Sequence, residues 1–116
     1  MKQQRKYERK QLSHYLKVYD RSNEQLLGRL GNITPAGIMV LSEVPIGTDL
    51  RMQLRITFPR AIEGSAYLDL EARSVWVKKD VIPEYYDTGF ELLEDSVQHK
   101  NYIEQLIQEF GVAEKE

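Results

Sequence analysis

The sequence predicts a mainly β domain, a small antiparallel barrel with one α-helix at its C-terminal end. Apolar and polar residues alternate along "DLRMQLRITF" and "YLDLEARSVWV", and this period of two is typical of half-buried strands. The period changes in "DSVQHKNYIEQLIQEFG", where Ile103, Leu106, Ile107 and Phe110 form a single helical stripe. These two patterns, in this order, indicate strands first and a helix packed on them last.

Shorter segments supply the remaining strands. "SHYLKVYD", "LLGRL", "GIMVLS" and "DTGFELLE" are candidates, and the turn-forming stretches "DRSNEQ", "NITPAG" and "VPIGTD" separate them. About six strands at this spacing are expected of an antiparallel sandwich or barrel. Pro59 is expected to end the strand that precedes it. Val75 and Val77 break the alternation of the next strand, which predicts a bulge near Ser74.

The helix carries signals at both ends. Asp95 or Ser96 is a suitable cap for its start, and Asp95 with Gln98 resembles a capping box. Gly111 is expected to close it. The sequence thus divides into a flexible N-terminal arm over 1–11, a barrel with its helix over 12–111, and a frayed tail over 112–116.

Composition limits the function. The chain has 116 residues, a formal net charge of −2 and no cysteine. This length predicts one domain with its own core, and the absence of cysteine excludes disulfides and thiolate zinc sites. No apolar run is long enough to span a bilayer, and no signal peptide is visible, so we expect a cytoplasmic protein. Because the net charge is slightly negative, any attraction to phosphate must be local.

No catalytic pattern stands out. His14 and His99 lie in unrelated predicted elements without metal-ligand spacing. There is no nucleophile elbow and no glycine-rich phosphate loop. We therefore expect a binding module rather than an enzyme, with no metal and no cofactor.

The turn "GNITPAGIMV" contains Asn32, Thr34 and Gly37 in the pattern Asn-x-Thr-x-x-Gly. One interpretation is structural, because Asn and Thr side chains bond to nearby backbone in tight turns and glycine permits unusual backbone or close approach. The other is functional, because the same turn presents an amide, a hydroxyl and uncovered backbone that suit the edge of a purine base. The sequence leaves both open.

The segment "RKYERK" places Arg5 and Arg9 four residues apart ahead of the first strand, beside Lys6 and Lys10. A solvated basic tail is one interpretation. The other uses the guanidinium fork, which binds phosphate or the O6/N7 edge of guanine bidentately and stacks on bases. Two arginines on such an arm would close over a ligand that lies against the Asn32 turn.

Together, Arg-x-x-x-Arg at 5–9 and Asn-x-Thr-x-x-Gly at 32–37 resemble the signature of the PilZ domain family. The likeness covers nearly the whole chain, including Trp76 late in a strand and "YYDTGFELLE" before the helix. The resemblance implies a six-stranded antiparallel β-barrel with a C-terminal helix. It also implies binding of the bacterial second messenger cyclic di-GMP (c-di-GMP).

Carried over residue by residue, the resemblance implies that Arg5 and Arg9 bind guanine edges and phosphates from the arm. Asn32 would bond a guanine edge, Thr34 would offer its hydroxyl to phosphate or base, and Gly37 would let the backbone come close. Thr34 departs from the serine that is usual in the family, which keeps the hydroxyl and adds a methyl group.

Two further residues join the expected site. Trp76 either stacks on a base or is a core aromatic at an inward position, and Lys6 is a phosphate neighbour or a solvated side chain. The ligand would order the arm, and an unidentified downstream protein would respond to the new surface. A protein-interaction adaptor without ligand binding is the alternative. The acidic balance and the scattered tyrosines argue against a nucleic-acid polymer as the partner.

Overall fold

The structure, a computed structural model of the chain, describes residues 10–12, 16–94 and 96–113. In order, the elements are β1 (Lys10–Leu12), β2 (Lys17–Asp20), β3 (Gln25–Thr34), β4 (Gly37–Ser42), β5 (Arg51–Ile62), β6 (Ser65–Lys79), β7 (Tyr86–Leu92), α1 (Val97–Phe110) and β8 (Gly111–Ala113). Every strand pairing among these residues is antiparallel.

Six of the described strands form a closed barrel in the order β2-β5-β6-β7-β4-β3, and β3 pairs again with β2. Val18 on β2 lies at the closure, paired with Gly28 on one side and Ile56 on the other. Closure removes the exposed edges that an open sheet would present. The predicted six-stranded antiparallel barrel with a C-terminal helix is therefore confirmed.

β5 corrects one prediction. Pro59 was expected to end this strand, but β5 continues through it to Ile62. The paired register breaks between Thr57 and Ile62. Because the residues between them have no regular ladder partner, the missing N–H of Pro59 is accommodated there.

The bulge predicted near Ser74 is confirmed, since the register between β6 and β7 shifts between Ser74 and Trp76. Ser74 is fully buried, whereas Trp76 is 38% exposed. A bulge adds one residue to its strand and so exchanges the faces of the side chains beyond it. For this reason Trp76 points outward, and its interpretation as a core aromatic is wrong.

α1 packs its predicted apolar stripe against the barrel. Ile103, Leu106 and Phe110 are fully buried, and the Phe110 ring stacks on Phe58 of β5 with centroids 5.9 Å apart. Ser96 caps the helix, because its Oγ accepts a hydrogen bond from the His99 N–H at 3.0 Å. Asp95, the other candidate cap, lies outside the described residues.

Two short strands cross the predicted domain boundaries. β1 takes in the last residues of the expected arm, and β8 takes in the start of the expected tail. β1 lies between β3 and β8, so it satisfies backbone groups of both strands. The boundaries at 11/12 and 111/112 therefore pass through paired strands.

Candidate functional site

The structure describes four of the predicted site residues, Asn32, Thr34, Gly37 and Trp76. Arg5, Lys6 and Arg9 lie outside the described residues. β1 begins at the residue after Arg9, and its register pairs Lys10 with Ile33 and Gln11 with Asn32. The described chain thus starts beside the strand that carries the Asn-x-Thr-x-x-Gly turn.

Thr34 organises this turn. Its Oγ1 accepts hydrogen bonds from the N–H groups of Ala36 and Gly37, both at 3.2 Å, and lies 3.5 Å from the carbonyl oxygen of Gly37. A hydroxyl oxygen that accepts from the backbone N–H groups two and three residues on defines a local turn motif. The structural interpretation of this motif is therefore correct for Thr34, and its contact with a ligand stays a prediction.

Asn32 is half-buried on β3, next to a register shift between Leu30 and itself. Its Nδ2 lies 3.9 Å from the Met39 Sδ, a weak contact across to β4. Among the described residues nothing donates a hydrogen bond to its side-chain carbonyl. A half-buried carbonyl without a donor is well placed to accept one from a bound molecule.

Gly37 is required by its neighbouring strand. A Cβ at this position would lie 2.6 Å from the carbonyl oxygen of Phe90 on β7, which is too close for any other residue without movement of the backbone. β4 and β7 pair here, with Gly37 opposite Glu91. The glycine of the motif therefore allows two strands to pack, and its approach to a ligand stays a prediction.

The strand register connects the turn to Trp76. Asn32 pairs with Met39, Met39 with Gly89, and Gly89 with Trp76, so the four residues form one row across β3, β4, β7 and β6. A Cβ on Gly89 would lie 2.2 Å from the Trp76 Nε1, so the indole lies directly over this glycine. We call these four residues the outer row. It offers an amide at one end and an aromatic ring at the other.

Sequence reasoning missed Met39 and Gly89. Gly89 had a usable signal, because a glycine inside a strand pattern often marks close approach of another group. Met39 had no local signal, since its place beside Asn32 follows only from the pairing of β3 with β4.

The cations near the outer row differ in how firmly they are held. Arg73 bonds Asp49 at 2.9 Å and Glu91 at 3.1 Å. The hydrogen bonds that Arg73 donates to Glu91 raise the pKa of Arg73, so this guanidinium stays charged and paired. Lys78 instead places its Nζ 5.5 Å from the centroid of the Trp76 ring. Within the described parts of the chain, no carboxylate lies within 4.0 Å of the Lys78 ammonium.

A buried carboxyl lies on β7 two pairs away from the outer row. Asp87, which pairs with Leu41 and Lys78, is only 5% exposed. Its Oδ1 has no hydrogen-bond partner among the residues that the structure describes. Burial, together with the hydrogen bond and the charge of Asp80, raises the pKa of Asp87 to about 6, and the charge of Lys78 opposes the shift. At neutral pH this carboxyl is close to the range in which it takes up a proton.

Within the same described residues, no three His, Cys, Asp or Glu side chains are grouped so that they could hold a metal ion. A helix long and apolar enough to cross a membrane is likewise absent from these residues. The outer row offers hydrogen-bonding and stacking groups, and Lys78 beside it adds a cation. These are the groups that recognise a nucleotide.

The PilZ domain family matches residues 3–109, nearly the whole chain. The chain belongs to the PilZ domain family. Among curated proteins, no sequence matches this PilZ domain. Solved structures do match it.

The PilZ domain with c-di-GMP of YcgR from Escherichia coli has a TM-score of 0.70 and 16% identity, covering 92% of this chain and 91% of that chain. The Bacillus subtilis inhibitor of motility (MotI/DgrA) has a TM-score of 0.67 and 20% identity, covering 93% of this chain. This PilZ domain corresponds to 52% of the Bacillus chain, about half its length. At these identities the likeness shows the shared fold.

Proposed function

We propose that this PilZ domain is a cytoplasmic receptor for c-di-GMP, which binds between the outer row and the N-terminal arm. The observation that carries the proposal is the position of β1. Lys10 pairs with Ile33 and Gln11 with Asn32, so the segment that carries Arg5 and Arg9 joins the barrel beside the Asn32 turn. The residue that follows Arg9 thus lies beside the strand that carries Asn32.

The chemistry of each residue suits this ligand. The Asn32 carbonyl accepts from the N–H groups of a guanine edge, and Trp76 offers the exposed ring on which a base stacks. Arg5 and Arg9 grip guanine edges and phosphates through their guanidinium forks. These contacts bind a ligand and leave its bonds unchanged, so the proposed receptor is not an enzyme.

Three predicted site residues have smaller roles in the proposal. Thr34 holds the turn that presents Asn32, and its hydroxyl turns to a phosphate or base when the ligand is bound. Gly37 leaves the backbone of the turn open to the ligand. Lys6 adds positive charge near the phosphates.

The signal in this proposal is the ordering of the part of the arm that precedes β1. Ordering costs about 1–2 kcal/mol per residue, so the contacts of two phosphates and two guanines must outweigh that sum. A downstream protein then binds the surface that the ordered arm creates. The two structural neighbours support this scheme, since one is a complex with c-di-GMP and the other is named an inhibitor of motility.

The test is isothermal titration calorimetry with c-di-GMP. We expect a Kd of about 1 µM or lower. Arg5→Ala and Arg9→Ala should each weaken binding by about 1–3 kcal/mol, because each removes bidentate contacts. Arg9→Lys is the matched control, since it keeps the charge and loses the fork, and it should bind nearly as weakly as Arg9→Ala.

Cyclic GMP and single-stranded DNA separate nucleotide specificity from charge attraction, and neither should bind comparably. No heat at about 100 µM protein would refute ligand binding and favour an adaptor that binds proteins alone. Equal affinity of the wild type and Arg9→Lys would show that the arm acts only through its charge.

A further inference from the structure

Lys78 and Trp76 form a pair on the outer face of β6. The bulge lies before Trp76, so alternation resumes there and brings Lys78, two residues on, to the same face. The Lys78 Nζ lies 5.5 Å from the centroid of the indole ring. This distance is within the range of a cation–π contact at an exposed aromatic.

Lys78 differs from two nearby arginines, which are held in ion pairs. Arg73 is held by Asp49 and Glu91, and Arg51 by Glu71 at 3.2 Å. In the described residues, Lys78 has no carboxylate within ion-pair distance. Asp87, its strand partner, interacts with its charge from beyond that distance. A lysine without a close ion pair loses little when its ammonium turns to another anion.

We propose that Lys78 is a phosphate-binding residue of the c-di-GMP site, acting together with Trp76. The inference rests on the proposed function and assigns a residue to it that lies outside both sequence motifs. A base that stacks on Trp76 occupies the ring face that the Lys78 ammonium now covers, and so displaces the ammonium. The phosphodiester joined to that base then lies within reach of the displaced ammonium, whose three N–H groups suit phosphate oxygens.

The neighbouring lysine supplies a matched control. Lys79 belongs to the opposite phase of β6, and its Nζ lies 5.7 Å from the ring of Tyr86. Lys78→Ala and Lys79→Ala therefore remove the same charge from adjacent positions, and only the first removes it beside Trp76. Long-range attraction to the dianion changes equally in both variants, so a difference between them reports direct contact.

The experiment is a c-di-GMP titration of the wild type and both variants at low and at high salt, with the emission of Trp76 followed in parallel. We expect Lys78→Ala to weaken binding about five- to twentyfold at low salt, because a charge-assisted hydrogen bond is lost. Lys79→Ala should change it less than about twofold. The affinity of Lys78→Ala should also depend less on salt.

Lys78→Gln guards against an effect on packing, since it keeps most of the stem over the indole, and it should bind as weakly as Lys78→Ala. Equal affinities of Lys78→Ala and Lys79→Ala, with the wild type binding c-di-GMP, would overturn this inference and leave the proposed function standing. Absence of binding by the wild type would overturn both.

Discussion

Gly89→Ala should displace the indole of Trp76. A Cβ at this position would lie 2.2 Å from the Trp76 Nε1 and Cε2 and 2.6 Å from Cζ2. These distances are far below van der Waals contact, and the ring cannot stay where it is. Because Trp76 is at the surface, the indole is expected to swing away from β7 while the barrel remains folded.

The expected loss of stability follows from the apolar surface that becomes exposed when the indole moves. Trp76 is 38% exposed, and a tryptophan buries about 150–250 Å² when fully enclosed. Displacement that uncovers about 50–100 Å² of apolar surface lowers the free energy of unfolding by about 1–2.5 kcal/mol. Replacing glycine returns about 0.4–1 kcal/mol through the unfolded chain. The net loss should be about 0–2 kcal/mol, with about 1 kcal/mol as the central value.

The single tryptophan of the chain makes the displacement measurable. We expect Gly89→Ala to shift its fluorescence emission to the red and to increase its quenching by acrylamide, and urea denaturation followed by circular dichroism gives the stability. In a Trp76→Ala background the same change should be neutral or stabilising, because nothing occupies the space. Unchanged emission together with unchanged stability in the single variant would refute the reasoning.

Two further predictions concern stability. Burial raises the pKa of Asp87 from 3.8 to about 6; the native state therefore holds an extra proton between these values, and stability falls as pH rises through that window. Asp87→Asn should thus raise the melting temperature at about pH 7.5 and raise it much less at about pH 4, and an equal rise at both would contradict an ionisation effect. Ser96→Ala removes the bond that the His99 N–H donates and should lower the free energy of unfolding by about 1 kcal/mol in urea denaturation, whereas Ser96→Asp, which keeps an acceptor, should not.

Local patterns in the sequence were sufficient for the barrel strands and the helix. "GIMVLS" coincides with β4 because turn residues flank it on both sides. The stripe of Ile103, Leu106 and Phe110 is buried as expected, and the broken alternation at Val75 does mark a bulge. In each case the deciding interaction is between near neighbours in the chain.

The sequence predicts least well those features that depend on contacts between residues far apart in the chain. β1 and β8 are three residues each, too short for a periodic signal, and they exist because each finds a partner far along the chain. β5 passes Pro59 because the ladder is irregular there. The face that Trp76 occupies depends on the exact residue at which the bulge falls.

The site shows the same division. Asn32, Thr34 and Gly37 are close in the chain, so one motif contains them all. Met39 and Gly89 become neighbours of Asn32 only through the register of the strands. The register of the strands cannot be predicted from one sequence without knowledge of the fold.

The position of β1 has a mechanical consequence. Gln11 is held by Asn32 on one side and by Val112 on the other, and β8 directly continues α1. Separation of β1 from β3 would release the N-terminal arm and β8 together, as one unit of local opening. A molecule that binds the N-terminal arm would therefore also stabilise α1, which lies almost at the opposite end of the sequence.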